Sequence, residues 1–245
     1  MFLGASLDPE YFSEKVNLFV ALGPATKMSN VKVDAFKDAA KIWRELEYLT
    51  THFHAYNLFN FNWLEETATT VLLCNQLFNF CDKLVHWFSG GNQAVDNMKR
   101  WDVVMKDYPA GNGYQNLVYF MQAMENDDTW LRYDYGAIVN MDKYGQVHPP
   151  AVPLDQMKVP TGLFVGTVDN LATVADNNWL AEQLSDGVLK HHGNYLLDHL
   201  SFSLARDMSY FTVEVMRLVN KYATNSIKTE TMTDLSDDAS LFITN

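Results

Sequence analysis

The chain has 245 residues, 48% of them apolar and 13% aromatic, with a formal net charge of −12. Such a composition builds a core and excludes a disordered chain; the acidic field, with no basic stripe to oppose it, excludes nucleic acid as a partner. No apolar run reaches the roughly 18–20 residues that a membrane-spanning helix needs, so no transmembrane segment is expected.

Met1 to Leu7 reads as the last turns of an uncapped helix. The same N-terminus has neither a charged n-region nor a long apolar h-region, so no signal peptide is expected there. The chain also contains no N-x-S/T glycosylation acceptor. Val16 to Leu22, VNLFVAL, reads as a buried strand of the parallel type, ended by Gly23-Pro24.

From about Thr26 to Pro160 the chain is helical in tone. Val33 to Tyr48 reads as a charged amphipathic helix, Trp63 to Phe88 as a second helix ended by Gly90-Gly91, and Asn112 to Met124 as a third. The two cysteines, Cys74 and Cys81, fall in the second. Seven residues of helix rise about 10 Å, whereas disulfide Cα atoms lie within about 7 Å, so buried thiols are expected. Aromatic, turn-rich stretches follow, and the pair Pro149-Pro150 forbids regular helix there. His52-Phe53-His54 could present two imidazoles on one face of a strand. No Cys, Asp or Glu accompanies them at zinc-like spacing, so no metal site is expected.

Strand and helix alternate from Pro160 onward. Thr161 to Gly166 (TGLFVG) is a buried strand, Leu171 to Leu184 a helix, and Val188 to His192 a third strand. Leu200 to Tyr222 is a long amphipathic helix with apolar positions Phe202, Leu204, Met208, Phe211, Val213, Val215 and Met216. The chain turns polar from Thr224, and a disordered tail is expected. This order is that of an α/β protein, with one strand, an insert of over a hundred residues and two more strands. Three parallel strands cannot bury both faces of a doubly wound sheet. Further strands must come from an upstream segment or from another chain, and the isolated chain is expected to be unstable and prone to associate.

Functional groups of open α/β sheets gather beyond the carboxyl ends of the strands. Asp169 lies three residues past TGLFVG, and His199 lies between the third strand and the long helix. An acid followed by a base on successive strand-to-helix loops is the chain order of an α/β-hydrolase triad after its nucleophile. Taken alone, Asp169 reads more readily as a helix cap or turn residue, and His199 as a packed or hydrogen-bonded surface imidazole. Asp198 adjoins His199, but adjacent side chains diverge, which favours Asp169 as its partner. His191-His192 sits at a strand end, the two rings on opposite faces. No Gly-x-Ser-x-Gly elbow exists in the chain; Gly4-Ala5-Ser6 is its nearest fragment and lies in a helical stretch. An oxyanion donor on an early strand-to-helix loop is absent as well.

At this point the sequence resembles the acid lipases, the group of gastric and lysosomal acid lipases. The similarity runs through VALGPAT (Val20 to Thr26), LLCNQLFNFCD (Leu72 to Asp82), YPAGNGYQNLVYFMQ (Tyr108 to Gln122), YDYG (Tyr133 to Gly136), KVPTGLFVG, GTVDNLA (Gly166 to Ala172) and DHLSF (Asp198 to Phe202). The resemblance implies Asp169 as the triad acid and His199 as its base. It implies a partial α/β-hydrolase fold, namely the last three parallel strands and their helices with a large, mostly helical cap. The layout is then hydrolase core over 1–26, cap over 27–159, core with the acid and base loops over 160–223, and tail over 224–245. It also implies cofactor-free hydrolysis of neutral lipid esters, triglycerides or cholesteryl esters, in a lysosomal or secreted setting. The aromatic cap (Phe53, Phe59, Phe61, Trp63, Phe78, Trp87, Phe88) fits a lid that touches lipid, although most of these rings read more readily as the packed core of the cap. Three departures stand out: the elbow would lie just upstream of Met1, Ser201 replaces an Asp that the family often shows, and one partner of the cap disulfide is missing. Two functional classes remain open, a lipase that draws its serine from an upstream segment or a separate polypeptide and a truncated, inactive paralogue serving as a structural or interaction protein.

Overall fold

A computed structural model describes residues 1–58, 89–90, 94–100 and 111–223. The expected helix over Trp63 to Phe88, both cysteines, most of the cap aromatics and the polar tail lie outside the described residues. Helices α1 (Phe2–Leu7) and α2 (Pro9–Lys15) lead into strand β1 (Phe19–Leu22). The α2 helix was not expected; Asp8 caps it by accepting the Tyr11 N–H, and Pro9 supplies the preset first turn.

Next come α3 (Asp34–Lys41), α4 (Trp43–His52), a two-residue strand β2 (Asn57–Leu58), its antiparallel partner β3 (Asn112–Gly113), α5 (Tyr114–Glu125) and α6 (Ala137–Tyr144). The single helix expected over Val33 to Tyr48 is thus two helices that meet at Ile42. The α6 helix was also missed in the turn-rich stretch; it ends at Gly145, which takes the left-handed conformation that glycine permits. His52 and His54 do not share a strand face. His52 is the last residue of α4, and His54 has φ +55, so the chain turns between them. Among the described residues, no group of three or more His, Cys, Asp or Glu could hold a metal.

The rest is the sheet: β4 (Thr161–Gly166), α7 (Val174–Gln183) and β5 (Leu189–Tyr195), with strand order β1-β4-β5 and both pairings parallel. Central β4 is buried at every residue. Its alternation sends Leu163 and Val165 to one face and Phe164 to the other. The first pair packs with Phe2, Ala5, Leu154, Met157 and Leu180. Phe164 packs with Leu197, Phe202, Tyr210, Val215 and Leu218. The outer strand β5 alternates between half-buried and exposed residues. There the half-buried His191 stacks on Phe164 at 4.4 Å, and the Tyr195 hydroxyl donates to Glu214 at 2.6 Å.

The expected long helix over Leu200 to Tyr222 is broken. A short helix α8 (Ser201–Leu204) stops at Ala205, a π-helical stretch covers Tyr210–Val215, and residues 216–223 complete the segment as α-helix. The break is a docking point for the insert. Asp96 and Ala205 form an antiparallel bridge, Asn97 N–H donates to Leu204 O at 2.7 Å, and Arg206 N–H donates to Val95 O at 2.8 Å. Those backbone bonds replace helical ones, and the π turns change which residues face inward. Of the apolar positions, Phe211, Val213 and Met216 are exposed, while Phe202, Leu204 and Val215 are buried, as are Tyr210 and Leu218.

Candidate active site

The loop that carries Asp169 begins where β4 ends. Asp169 Oδ1 accepts the N–H groups of Leu171 and Ala172, both at 2.8 Å, which folds the loop around the carboxylate. Oδ2 is thereby left for His199 Nδ1, at 2.9 Å. The Asp169 side chain is fully buried, whereas the His199 side chain keeps 31% of its surface exposed. An ionised carboxylate only accepts, so Nδ1 carries the proton and Nε2 is the basic nitrogen. Nε2 is the ring nitrogen that Asp169 does not engage.

Backbone contacts hold the two loops together. Thr167 N–H donates to Tyr195 O at 2.8 Å, and Val168 N–H to Leu197 O at 3.3 Å. A Cβ on Gly166 would stand 2.4 Å from Leu197 O, so only glycine allows this approach. On the β1 side, Gly23 turns with φ +54 and donates to Phe164 O at 2.9 Å. A Cβ there would come within 3.2 Å of Asp169 Oδ2 and 3.3 Å of His199 Nδ1. The insert closes a third side, since Ser89 O accepts from Asn170 N at 3.1 Å and from His199 N at 3.4 Å. Sequence reasoning missed these contacts of Gly23 and Ser89. Gly23-Pro24 was legible as a strand end, but nothing along the chain announces what lies next to it.

Burial opposes charging of His199, but the Asp169 hydrogen bond and charge, with the Asp198 charge, outweigh it and hold its pKa above the ordinary imidazole value. A raised folded pKa adds stability that is fully present below the unfolded value, about 6.5, and is lost as pH rises through the folded one. His199→Gln should therefore cost more stability at about pH 5.5 than at about pH 9, in denaturant melts at the two values. Equal losses would contradict a raised pKa. His191 and His192 are shifted the opposite way, chiefly by burial.

Ser6, the nearest fragment of an elbow, is buried within α1 and not on a strand-to-helix turn. A cavity of about 410 Å³ between α4 and α5, lined by Trp43, Arg44, Gln122, Glu125 and Arg132 among others, does not include Asp169 or His199.

An imidazole oriented through Nδ1 by a buried carboxylate can use its other nitrogen to relay a proton to and from a hydroxyl nucleophile. No family model matches the chain. It is similar to lipase member K of Mus musculus, 27% identical over 84% of this chain and 51% of that protein. Human lysosomal acid lipase/cholesteryl ester hydrolase is 28% identical over 90% of this chain and 55% of the relative. Mouse lipase member N is 34% identical over a shorter stretch, 47% of this chain and 30% of the relative. In the longer of these alignments the chain spans about half the length of the curated relative.

Proposed function

From this kinship with the acid lipases, we infer that the chain is the acid-and-base portion of an enzyme that hydrolyses neutral lipid esters. The observation that carries the reading is the 2.9 Å contact between His199 Nδ1 and the buried Asp169 carboxylate, on successive strand-to-helix loops. In the proposed reaction Nε2 of His199 takes the proton of a serine hydroxyl as its oxygen attacks the ester carbonyl. The alcohol then leaves with that proton, and a water repeats the cycle to release the fatty acid. Asp169 keeps the tautomer and faces the imidazolium without itself taking the proton.

The serine belongs, in this reading, to a longer polypeptide or to a partner chain that also completes the sheet beside β1. The insert from 27 to 159 acts as a cap over the acyl-binding cleft and meets the lipid surface. The substrate in this reading is a triglyceride or cholesteryl ester and the setting lysosomal or secreted; the name of one relative, a lysosomal acid lipase/cholesteryl ester hydrolase, supports the cholesteryl ester and the lysosome. A non-catalytic paralogue serving as a structural or interaction protein is the second reading. The two readings part on a serine-directed fluorophosphonate combined with the intact mass of the protein from its source. A heavier protein that labels at an upstream serine, beside an unlabelled 245-residue chain, is the expected result. A source protein of the 245-residue mass that never labels would leave only the paralogue.

A further inference from the structure

We propose that Tyr195 is a positioning residue for the Asp169–His199 pair, its side chain clamped on the sheet so that its carbonyl holds the loops of both. The proposal rests on the reading of Asp169 and His199 as acid and base. Tyr195 ends β5, and its carbonyl accepts two N–H groups, Thr167 at 2.8 Å and Leu197 at 2.7 Å. Thr167 stands two residues before Asp169, and Leu197 two residues before His199. One oxygen, with a lone pair for each donor, therefore anchors both loops where they leave the sheet. A turn of Tyr195 would move one loop against the other and change the 2.9 Å separation between Asp169 Oδ2 and His199 Nδ1.

The clamp is a chain of side chains on one face of β5. The Tyr195 hydroxyl donates to Glu214 Oε2 at 2.6 Å, which leaves it to accept from His191 Nε2 at 2.8 Å. Residues 191, 193 and 195 share that face, and the middle one is glycine. A Cβ on Gly193 would stand 2.5 Å from the Tyr195 hydroxyl oxygen and 2.6 Å from His191 Nε2. The contact thus closes only over bare backbone, at a position where glycine weakens the strand. Glu214 comes from the π-helical stretch Tyr210–Val215, a rare winding that is frequent at functional sites. The Tyr195 ring lies 5.5 Å from Phe164 and 5.8 Å from Tyr210, and the Tyr210 hydroxyl donates to Phe202 O, three residues past His199. A phenylalanine would fill the same space; packing does not account for the hydroxyl.

The test is a proton titration of His199 by NMR in the full 245-residue chain with carbon-13-labelled histidine, the resonance assigned by its loss in His199→Gln. Tyr195→Phe keeps the ring and changes no charge. It should still lower the His199 midpoint, by less than Asp169→Asn lowers it, because the contact with Asp169 loosens. On the Asp169→Asn background the same change should have no further effect, since the hydroxyl acts through that contact. Glu214→Ala, which removes the acceptor of the hydroxyl, should lower the midpoint as Tyr195→Phe does. Glu214→Gln retains an acceptor oxygen and should leave the midpoint in place. An unchanged midpoint in folded Tyr195→Phe, or a fall that persists in full on the Asp169→Asn background, would overturn the proposal. Equal falls in the two Glu214 variants would overturn it as well, because they would report a lost charge and not a lost clamp. If Tyr195→Phe does not fold, the Glu214 pair decides: a fall in Glu214→Ala alone supports the clamp, and any other pattern overturns it. The base reading fails on a separate result, namely undiminished ester hydrolysis by His199→Gln in the serine-bearing polypeptide.

Discussion

Asp169→Asn should abolish most of the ester hydrolysis of the serine-bearing polypeptide, by about 10³–10⁴-fold in kcat, while leaving the fold in place. The amide keeps an oxygen for the Leu171 and Ala172 N–H groups, which hold the loop. Its nitrogen then faces His199 Nδ1 as a donor, and Nδ1 must turn acceptor to meet it. The proton moves to Nε2, the nitrogen that should accept one from the nucleophile. The His199 midpoint also falls, because its main charge partner is gone. The stability cost should stay near about 1–2 kcal/mol, since one charged hydrogen bond becomes a neutral one. Steady-state kinetics with a soluble ester, beside a denaturant melt, checks both parts. A small kinetic loss with an intact fold would remove Asp169 from the mechanism.

Phe164→Ala should lower stability by about 3–5 kcal/mol, the cost of deleting a fully buried aromatic ring. Phe164 is the centre of one face of β4, with His191 at 4.4 Å and Tyr195 at 5.5 Å between ring centroids. The neighbours that would fill the hole are themselves anchored: Tyr195 donates to Glu214, and the Tyr210 hydroxyl donates to Phe202 O. Collapse of the cavity is therefore limited. The damage should reach the site, because Phe164 O holds Gly23, whose backbone lies against the Asp169–His199 pair. Equilibrium unfolding in guanidinium measures the first effect and the His199 titration the second. A loss below about 1 kcal/mol would mean that the face repacks freely.

Where the sequence pattern was local, it was sufficient. TGLFVG is a short apolar run bounded by Pro160 and a turn, and it is the central strand, buried throughout. Asp169 and His199 were legible as partners because each follows a strand, and parallel strands bring successive loops to one rim. Where a distant segment competes for backbone hydrogen bonds, the pattern misled. Leu200 to Tyr222 has the apolar content of one helix, yet residues 95–97 take the hydrogen bonds at Leu204 and Arg206 and split it.

Composition and spacing by themselves determined an acidic, core-forming α/β chain with three parallel strands, and put Asp169 and His199 on successive loops that follow strands. These features depend on periodicity and strand-to-loop order, which a single chain carries along its length. Only the tertiary structure decided which oxygen of Asp169 meets which nitrogen of His199, and that Gly23 and Ser89 wall the pair. Those facts arise from close approach between residues far apart in sequence, where a separation of a few tenths of an ångström decides whether a Cβ fits and whether a proton is shared.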